Sequence, residues 1–492
     1  MTRLSRKTLD ALPPRIARPR YDLGAEQIGI VHLGIGAFHR AHQAVYVDDR
    51  LAAGERGWAI LGASLRSPDT RDALEPQDGL YTVAVRSGDG DRLRVIGAVR
   101  KLLVAPEDPG ALLAAMSDPK TRIVSLTVTE KGYCHDPASG ELDPNHAEIR
   151  ADLASPDRPR SAPGFLVEAL RRRRAAGTPP FTVLCCDNLP ANGATVRRVL
   201  AGLGSLRDEG LGDFIRHEVA FPSTMVDRIV PATTDADRAM VRMAITLDDA
   251  WPVMTEPFSQ WVIEDSFGPL GRPRLEDSGA QLVADVAPFE LMKLRLLNGS
   301  HSTLAYLGYL AGYATVAETM ADGAFARLVA ALMEEVTETL PVAPGADVTR
   351  YRAALIDRFR NPALKHRTWQ IAMDGSQKLP QRLLGTARDR LADGAPLGLV
   401  ALGVAGWMRY VTGIDEAGQP IEVKDPLAPR LRAIADAAGP VAERLAPALM
   451  GVAEIFGEDL PKDPRFTGPV TAVLAKLFAD GAAPTVRDAV AR

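Results

Sequence analysis

The chain has 492 residues, more than a single hydrophobic core usually supports, so two domains are expected. A net charge of −4 gives no electrostatic case for nucleic acid or an anionic membrane surface, and 46% hydrophobic residues are ordinary for a globular protein. The sequence contains neither a secretory signal nor an apolar run of the ~18 residues that a membrane span needs, and its three cysteines lack disulfide or metal-ligand spacing. We therefore expect a cytoplasmic protein without a bound metal.

Short apolar runs alternate with helical patterns through the first half of the chain. The predicted strands lie at residues 27–34, 58–64, 81–85, 93–99, 122–128 and 181–186. Several are almost continuously apolar, which is typical of strands covered on both faces. Because alternating strands and helices form parallel sheets with right-handed crossovers, we predict an α/β domain with a mostly parallel sheet over residues 1–285.

A Gly-x-Gly turn follows the first predicted strand. Gly34 would permit the tight turn, and Gly36 would let the main chain approach a pyrophosphate at the start of the next helix. His39 stands where the third glycine of the dinucleotide fingerprint is usually found. After the second strand, Arg66 would suit the 2′-phosphate of NADP and Asp69 a ribose hydroxyl of NAD, so both cofactors stay open.

A polar cluster follows the last predicted strand of this half. Asn188 stands where the carboxyl ends of parallel strands hold ligands, so its amide is a candidate donor to a substrate oxygen. The alternative is a turn followed by a helix cap, for which Asn192 and Gly193 are suited. Both interpretations hold together if Asn188 is functional and Asn192 is structural.

Helical patterns replace strands after about residue 286, and they predict an α-helical domain over residues 286–492. In the helical pattern at 288–311, Lys293, Asn298 and His301 fall within a sector of about 140°. Glu290 precedes the lysine by three residues and is its neighbour on a helix. Leucines surround this group, so we expect a partly desolvated amine with a lowered pKa that acts as acid or base. The alternative is an amphipathic helix whose polar face meets water.

Ordered motifs along most of the chain, from roughly residue 28 to 412, point to one family. They are Gly34-x-Gly36-x-Phe38-His39, residues 127–133, Cys186-Asp187-Asn188, Asp227-Arg228, Lys293-x4-Asn298-x2-His301 and Asp374-Gly375-Ser376-x-Lys378. Together they resemble the polyol-specific long-chain dehydrogenase/reductase family. Within it, the chain is most similar to the branch that reduces hexuronates. Gln370 stands where the polyol dehydrogenases usually carry an arginine.

The resemblance implies a Rossmann-like dinucleotide-binding domain followed by a helical catalytic domain that needs no metal. It implies that Lys293 is the general acid/base, that Asn188 and Asn298 hold the reacting oxygen, and that His301 orients it. It further implies a proton path beside Glu290. It also implies that Asp227 and Lys378 line the sugar site. The cofactor would bind at the turn that contains Gly34, Gly36, Phe38 and His39.

The expected reaction is hydride transfer between NAD(H) and a sugar acid, D-fructuronate or D-mannonate, with NADP left open. A uronate carries a carboxylate, and Arg367, His366 and Lys378 are its candidate partners because arginine matches carboxylate geometry. One alternative is the oxidation of a neutral polyol such as mannitol. An alternative of another class is a nucleotide-sensing protein without catalysis. No nucleic-acid or membrane partner is expected, and the chain is expected to be a monomer or a small homo-oligomer.

Overall fold

Strands are confined to the N-terminal part of this computed structural model, which describes residues 2–136, 139–341 and 344–491. Its contacts divide the chain into two units, Met1–Ala287 and Pro288–Arg492. The strands are β1 Ile28–Leu33, β2 Ala59–Ser64, β3 Tyr81–Ser87, β4 Gly90–Ile96, β5 Val99–Val104, β6 Ile123–Leu126, β7 Thr182–Cys185, β8 Thr224–Asp227, β9 Val253–Thr255, β10 Gln260–Glu264 and β11 Gln281–Val283.

The main sheet of the first unit has the strand order β5-β2-β1-β6-β7, and every neighbouring pair is parallel. The predicted parallel sheet is therefore confirmed. Strand order runs outward from β1 in both directions, first to β2 and β5 and then to β6 and β7. The boundary between β1 and β6 is thus the topological switch point at which doubly wound sheets bind ligands.

Side chains on the main sheet alternate between two apolar clusters. Ile30, Ile60 and Ile123 pack on one face, whereas Val31 and Leu33 pack on the other. Both faces are buried, which explains why the strands are continuously apolar and show no polar alternation.

The single strand predicted at residues 93–99 is wrong, because that segment contains a strand boundary. β4 pairs antiparallel with β3, while β5 joins the main sheet beside β2. Two small sheets, β4-β3-β9 and β11-β10-β8, complete the first unit. The strands β8, β9 and β11 have three or four residues each, and no longer apolar run contains them, so the pattern did not predict them.

Helices cover the main sheet and make up the second unit. They are α1 Ala37–Ala41, α2 Gln43–Ala52, α3 Asp69–Leu74, α4 Pro109–Ser117, α5 Ala147–Ala154, α6 Ala162–Ala175, α7 Asn192–Arg207, α8 Glu209–Glu218, α9 Asp235–Ile245, α10 Ala287–Met292, α11 Ser300–Leu310, α12 Val316–Ala321, α13 Gly323–Thr337, α14 Val348–Arg360, α15 Thr368–Ile371, α16 Gly375–Leu379, α17 Gly385–Ala392, α18 Gly398–Tyr410, α19 Ala428–Ala438, α20 Ala442–Met450, α21 Ala453–Phe456, α22 Pro464–Asp480 and α23 Ala482–Ala489. Within the part of the chain described, none of these helices is both long and apolar enough to cross a membrane.

The second unit is organised around α11, which is buried along nearly its whole length and packs against α18. Two π-helical segments, Lys293–Gly299 and Pro380–Leu384, interrupt its helices and pack against each other. The first joins α10 to α11, and the second joins α16 to α17. π-Helical turns are rare and are often found at functional sites.

Candidate active site

The turn after β1 has the geometry that the fingerprint requires. Gly34 has φ +93°, and a Cβ at this position would lie 2.1 Å from Thr127 O. Only glycine therefore fits there. Around the Cβ position of Gly36, the only non-neighbouring described atom within 4 Å is Gly34 O at 3.8 Å. That face of the turn is open, so the residues present fit a phosphate group that approaches the main chain.

His39 stands at the position of the third glycine, and its ring stacks on a histidine ring of β1. Its ring lies 3.4 Å from the ring of His32 in β1. His32 is held by Ser125 Oγ and Thr127 Oγ1, each at 2.8 Å. Burial lowers the pKa of His32 to about 3 and the pKa of His39 well below its ordinary value. Two neutral rings thus provide the close contact between helix and strand that a glycine usually permits.

The other predicted cofactor residues differ in burial, since Phe38 is half-buried against the core and Arg66 and Asp69 are exposed. Phe38 stacks on His42 with 5.1 Å between ring centroids. Arg66 and Asp69 are both exposed beyond the end of β2, and Asp69 accepts a hydrogen bond from Ser67 Oγ at 2.9 Å.

Asp187 fixes the end of β7 against the end of β6. Its carboxylate accepts hydrogen bonds from Val128 N at 2.9 Å, Thr129 N at 3.1 Å and Tyr133 Oη at 2.6 Å. Burial raises the pKa of this carboxyl, and the hydrogen bonds lower it again. Asn188 follows directly and is exposed at the carboxyl edge of the sheet, where a ligand-binding amide was predicted.

Asn192 has a structural role, but it is not the predicted helix cap. It is the first residue of α7, and the cap is Ala191 with φ +44°. The side chain of Asn192 donates to Asp187 O at 3.1 Å and Thr224 O at 2.9 Å, and it accepts from Thr224 N at 2.9 Å. It therefore links the end of β7 to the start of β8. β8 ends at Asp227, another predicted site residue, which is buried.

The helix of Lys293, Asn298 and His301 is continuous, but it is not a regular α-helix as the 100° spacing assumed. Lys293 begins the π-helical segment, Asn298 lies within it, and His301 follows in α11. A π-turn pairs residues i and i+5, the separation of Lys293 and Asn298. The wider turn therefore brings these two residues closer to one side than an α-helix would. Lys293, Asn298 and Glu290 are each half-buried.

His301 is buried and neutral. Its ring stacks on Phe359 at 4.8 Å and meets the edge of His366 at 4.7 Å. Burial lowers the pKa of His301 well below its ordinary value, and the charges of His366, Arg382, Arg358 and Lys378 lower it further. Its Nε2 has no hydrogen-bond partner among the described residues. A neutral imidazole with an unused nitrogen is suited to hydrogen-bond a substrate oxygen.

The predicted carboxylate partners lie in different places. His366 contacts His301, and Lys378 is half-buried in α16 with its Nζ donating to Ile371 O at 3.3 Å and Met373 O at 2.5 Å. Arg367 is exposed and lines a surface pocket of about 710 Å³, together with Arg360, Lys365 and Trp369 among others. Of the described site residues that the sequence predicted, Arg367 alone lines this pocket.

Arg382, which no sequence pattern indicated, lies in the second π-helical segment. Its Nη1 donates to Asn298 O at 3.4 Å and to Ser302 Oγ at 3.1 Å. The main chain also comes close here, since a Cβ on Gly299 would lie 2.9 Å from Arg382 O. These contacts join residues 80 or more positions apart along the chain, so local spacing does not reveal them.

Cys134, His146 and Glu148 offer potential ligand atoms that lie within 4.8 Å of one another. The Cys134 thiol donates to Glu148 Oε2 at 3.7 Å. Burial and the nearby Glu148 carboxylate raise the pKa of this thiol to about 12. The group therefore holds a protonated thiol in a hydrogen bond, and it includes none of the predicted catalytic residues.

Family comparisons match both halves of the chain. The mannitol dehydrogenase Rossmann domain matches residues 28–277, and the mannitol dehydrogenase C-terminal domain matches residues 285–478. The chain belongs to the mannitol dehydrogenase family. The resemblance and the fold predicted from the sequence motifs are thereby confirmed.

Relatives that are named for different activities are similar to this chain. It is 48% identical to the D-mannonate oxidoreductase of Escherichia coli strain K12 over 473 residues, which are 95% of this chain and 96% of that protein. It is also 48% identical to the uncharacterized oxidoreductase YeiQ of the same organism over 474 residues, 96% of each chain. The solved Pseudomonas fluorescens mannitol 2-dehydrogenase, in ternary complex with NAD and D-mannitol, aligns with a TM-score of 0.87 and 41% identity over 100% of both chains. Overall identity shows the family but does not select the substrate.

Proposed function

We propose that this protein is an NAD-dependent oxidoreductase that interconverts D-fructuronate and D-mannonate. The observation that carries the substrate class is the charge around His301. Three cationic side chains, Arg382, Arg358 and Lys378, act on this buried ring. Such surroundings favour a ligand that carries a negative charge, and a sugar acid supplies one. A neutral polyol offers a cationic side chain no ionic contact.

The turn at Gly34 and Gly36 would hold the cofactor, with Phe38 and His39 supporting it from α1. Bound NADH supplies the hydride that reduces the ketone carbon of the sugar acid. The solved mannitol 2-dehydrogenase with NAD supports this choice of cofactor. Arg66 and Asp69 are the residues in which a preference between NAD and NADP would reside.

In the second unit, Lys293 donates the proton to the oxygen that becomes a hydroxyl group. Asn298 donates an amide hydrogen bond to that oxygen, and His301 Nε2 orients it. By analogy with oxyanion holes, removal of one such donor costs about 3 kcal/mol of transition-state stabilisation. Glu290, one helical turn before Lys293, borders the path by which the proton is replaced.

By the family resemblance, Asn188 is a further candidate amide donor and Asp227 a candidate sugar contact. Asp187 and Asn192 are positioning residues, because they hold the ends of β6, β7 and β8 through main-chain hydrogen bonds. This division of roles follows the family resemblance, residue by residue.

The test is a substrate panel followed at the absorbance band of reduced nicotinamide. D-Fructuronate and D-fructose are assayed with NADH and with NADPH, and D-mannonate and D-mannitol with the oxidised cofactors. We expect kcat/KM for D-fructuronate to exceed that for D-fructose by roughly 100-fold or more, with NADH preferred. Equal or better turnover of fructose would establish the polyol alternative instead, which the mannitol-bound relative favours.

Lys293→Ala tests the mechanism in the same assay. We expect kcat to fall by about 10²–10⁴-fold, the usual contribution of a general acid, while the affinity for NADH in a fluorescence titration stays unchanged. Lys462→Ala, at a lysine whose side chain is 75% exposed, is the control. Undiminished turnover in Lys293→Ala would refute the assigned role. NADH binding by the unaltered protein without turnover of any sugar would establish the nucleotide-sensing alternative.

A further inference from the structure

Arg382 approaches the catalytic helix from the second π-helical segment. Its Nη1 donates to Asn298 O at 3.4 Å and to Ser302 Oγ at 3.1 Å, and its charge acts on His301. Asn298 and His301 are two of the residues assigned to the reacting oxygen. The guanidinium group is therefore anchored within one turn of both.

Within the described part of the chain, the charge of Arg382 has no carboxylate partner. Among the same residues, its Nε and Nη2 have no hydrogen-bond partner. Burial lowers the pKa of this group, and among the described residues the charge of Tyr306 works against that shift. Arg382 is half-buried, and a partly buried cation without an ionic partner is suited to bind an anionic ligand.

Two other arginines of the same unit are buried with a carboxylate partner. Arg295 pairs with Asp389 at 2.5 Å, and Arg390 pairs with Glu338 at 2.8 Å. Both also donate to main-chain carbonyls, at Thr339 O and Pro396 O. Arg382 differs from them in that one complete edge of its guanidinium is unused.

We propose that the Nε–Nη2 edge of Arg382 binds the carboxylate of the sugar-acid substrate and makes it the specificity-determining residue of this enzyme. A planar guanidinium edge matches a carboxylate with two parallel hydrogen bonds. The contact with Asn298 O and Ser302 fixes the group beside the residues that hold the reacting oxygen. This inference rests on the proposed function, because a polyol would leave the edge unpaired.

Two other roles compete with this proposal. One is purely structural, in which Arg382 only satisfies the Asn298 carbonyl in the irregular π-turn. The other keeps Arg367 as the carboxylate partner, as the sequence predicted. The exposure of Arg367 and its separate pocket argue against the second role.

The experiment compares Arg382→Gln, Arg367→Gln and the control Arg444→Gln, at an exposed arginine of α20. KM and kcat are measured for D-fructuronate and D-fructose, and calorimetry measures the binding of D-mannonate and D-mannitol in the presence of NAD. For Arg382→Gln we expect KM for D-fructuronate to rise and D-mannonate affinity to fall by roughly 100-fold, as for a lost charged pair. The kcat/KM for fructose and the affinity for mannitol should change less than about twofold.

Equal losses for the charged and the neutral ligands would show a structural role and overturn the proposal. A selective loss in Arg367→Gln but not in Arg382→Gln would overturn it in favour of the exposed arginine. If the glutamine variant does not fold, Arg382→Lys takes its place as the test of the proposal. The lysine keeps the charge but lacks the planar edge, so we expect a roughly tenfold rise in KM for D-fructuronate and little change for D-fructose. An equal loss for both substrates would contradict the proposal.

The experiment distinguishes failure of the proposed function from failure of the role inferred for Arg382. If the unaltered enzyme neither reduces D-fructuronate nor binds D-mannonate, the proposed function fails, and the inference fails with it. If the unaltered enzyme does both and Arg382→Gln shows no selective loss, the inference alone fails.

Discussion

At the scale of single residues, the cofactor turn depends on the absence of one carbon atom. Gly34→Ala would combine a φ of +93° with a Cβ 2.1 Å from Thr127 O. We expect the affinity for NADH to fall at least about tenfold and the free energy of unfolding to fall by about 1–3 kcal/mol or more. Fluorescence titration and denaturant unfolding measure the two effects.

Gly54→Ala is the matched control for that substitution. Gly54 has φ +94°, and no described atom lies within 4 Å of its Cβ position. Its alanine variant should show the strain of positive φ without the collision, and NADH affinity should stay unchanged. If both variants behave alike, the contact with Thr127 does not set the turn.

Residue types in order along the chain predicted the turn at Gly34 and Gly36, whose geometry fits, and they predicted roles for Asn188 and the Lys293 group, which stay predictions. They did not reveal what holds these groups. The hydrogen bonds from Val128 and Thr129 to Asp187, and from Arg382 to Ser302, join residues about 60 and 80 positions apart. The spacing of residues within a short segment does not predict such pairs, because they form only when distant segments pack together.

At the scale of elements, the two π-helical segments hold each other in place. Gly299 has helical dihedral angles, so alanine there should normally stabilise the helix by about 0.5–1 kcal/mol. Its Cβ would instead lie 2.9 Å from Arg382 O. We expect Gly299→Ala to displace the second π-helical segment, to give no gain in stability, and to lower kcat/KM by roughly tenfold as reacting groups shift.

The control lies in α22, where no described atom is within 4 Å of the Cβ position of Gly468. Gly468→Ala should raise the free energy of unfolding by about 0.5–1 kcal/mol without changing kcat/KM. Thermal unfolding and steady-state kinetics give both quantities. A Gly299→Ala enzyme that is more stable and fully active would show that the two segments tolerate separation.

Long elements were predictable, whereas a short element was predictable only where a longer apolar run contains it. The strand β1 and the helical periods of α6 and α18 extend far enough to show their pattern, and β6 lies within the apolar run at residues 122–128. The break between β4 and β5 falls inside one apolar run, where residues 97–98 turn the chain. Apolar periodicity also fails to distinguish an α-helix from a π-turn, since both keep one face buried.

At the scale of the whole molecule, buried neutral histidines make stability depend on pH. The pKa of His32, His39 and His301 is lowered in the fold, to about 3 for His32. In the unfolded chain a histidine takes up a proton near pH 6.5. As pH falls through that value, the unfolded state binds protons that the folded state does not, so the free energy of unfolding decreases.

Between pH 7.5 and 6.0, we expect these three histidines to lower the free energy of unfolding by roughly 2–3 kcal/mol in total. Buried carboxyls with a raised pKa, such as Asp249, work in the opposite direction at the acid end, so the comparison stops at pH 6.0. Urea unfolding at the two pH values measures the difference. His39→Gln should remove about one third of it, whereas His217→Gln, at an exposed position, should leave it unchanged. A free energy of unfolding that does not vary over this interval would contradict the neutral assignment.

The paired π-turns also bear on how this chemistry can be moved or recognised elsewhere. If the first segment relaxed to a regular α-helix, the register of the residues after it would shift. A shift of one residue rotates the following side chains by about 100° around the helix axis and moves His301 away from Lys293. A designer who copied Lys-x4-Asn-x2-His onto a straight helix would reproduce the letters without the arrangement. Residues 380–384 would have to be transplanted with residues 293–301, so the smallest portable unit that contains the Lys293 group is two segments separated by about eighty residues.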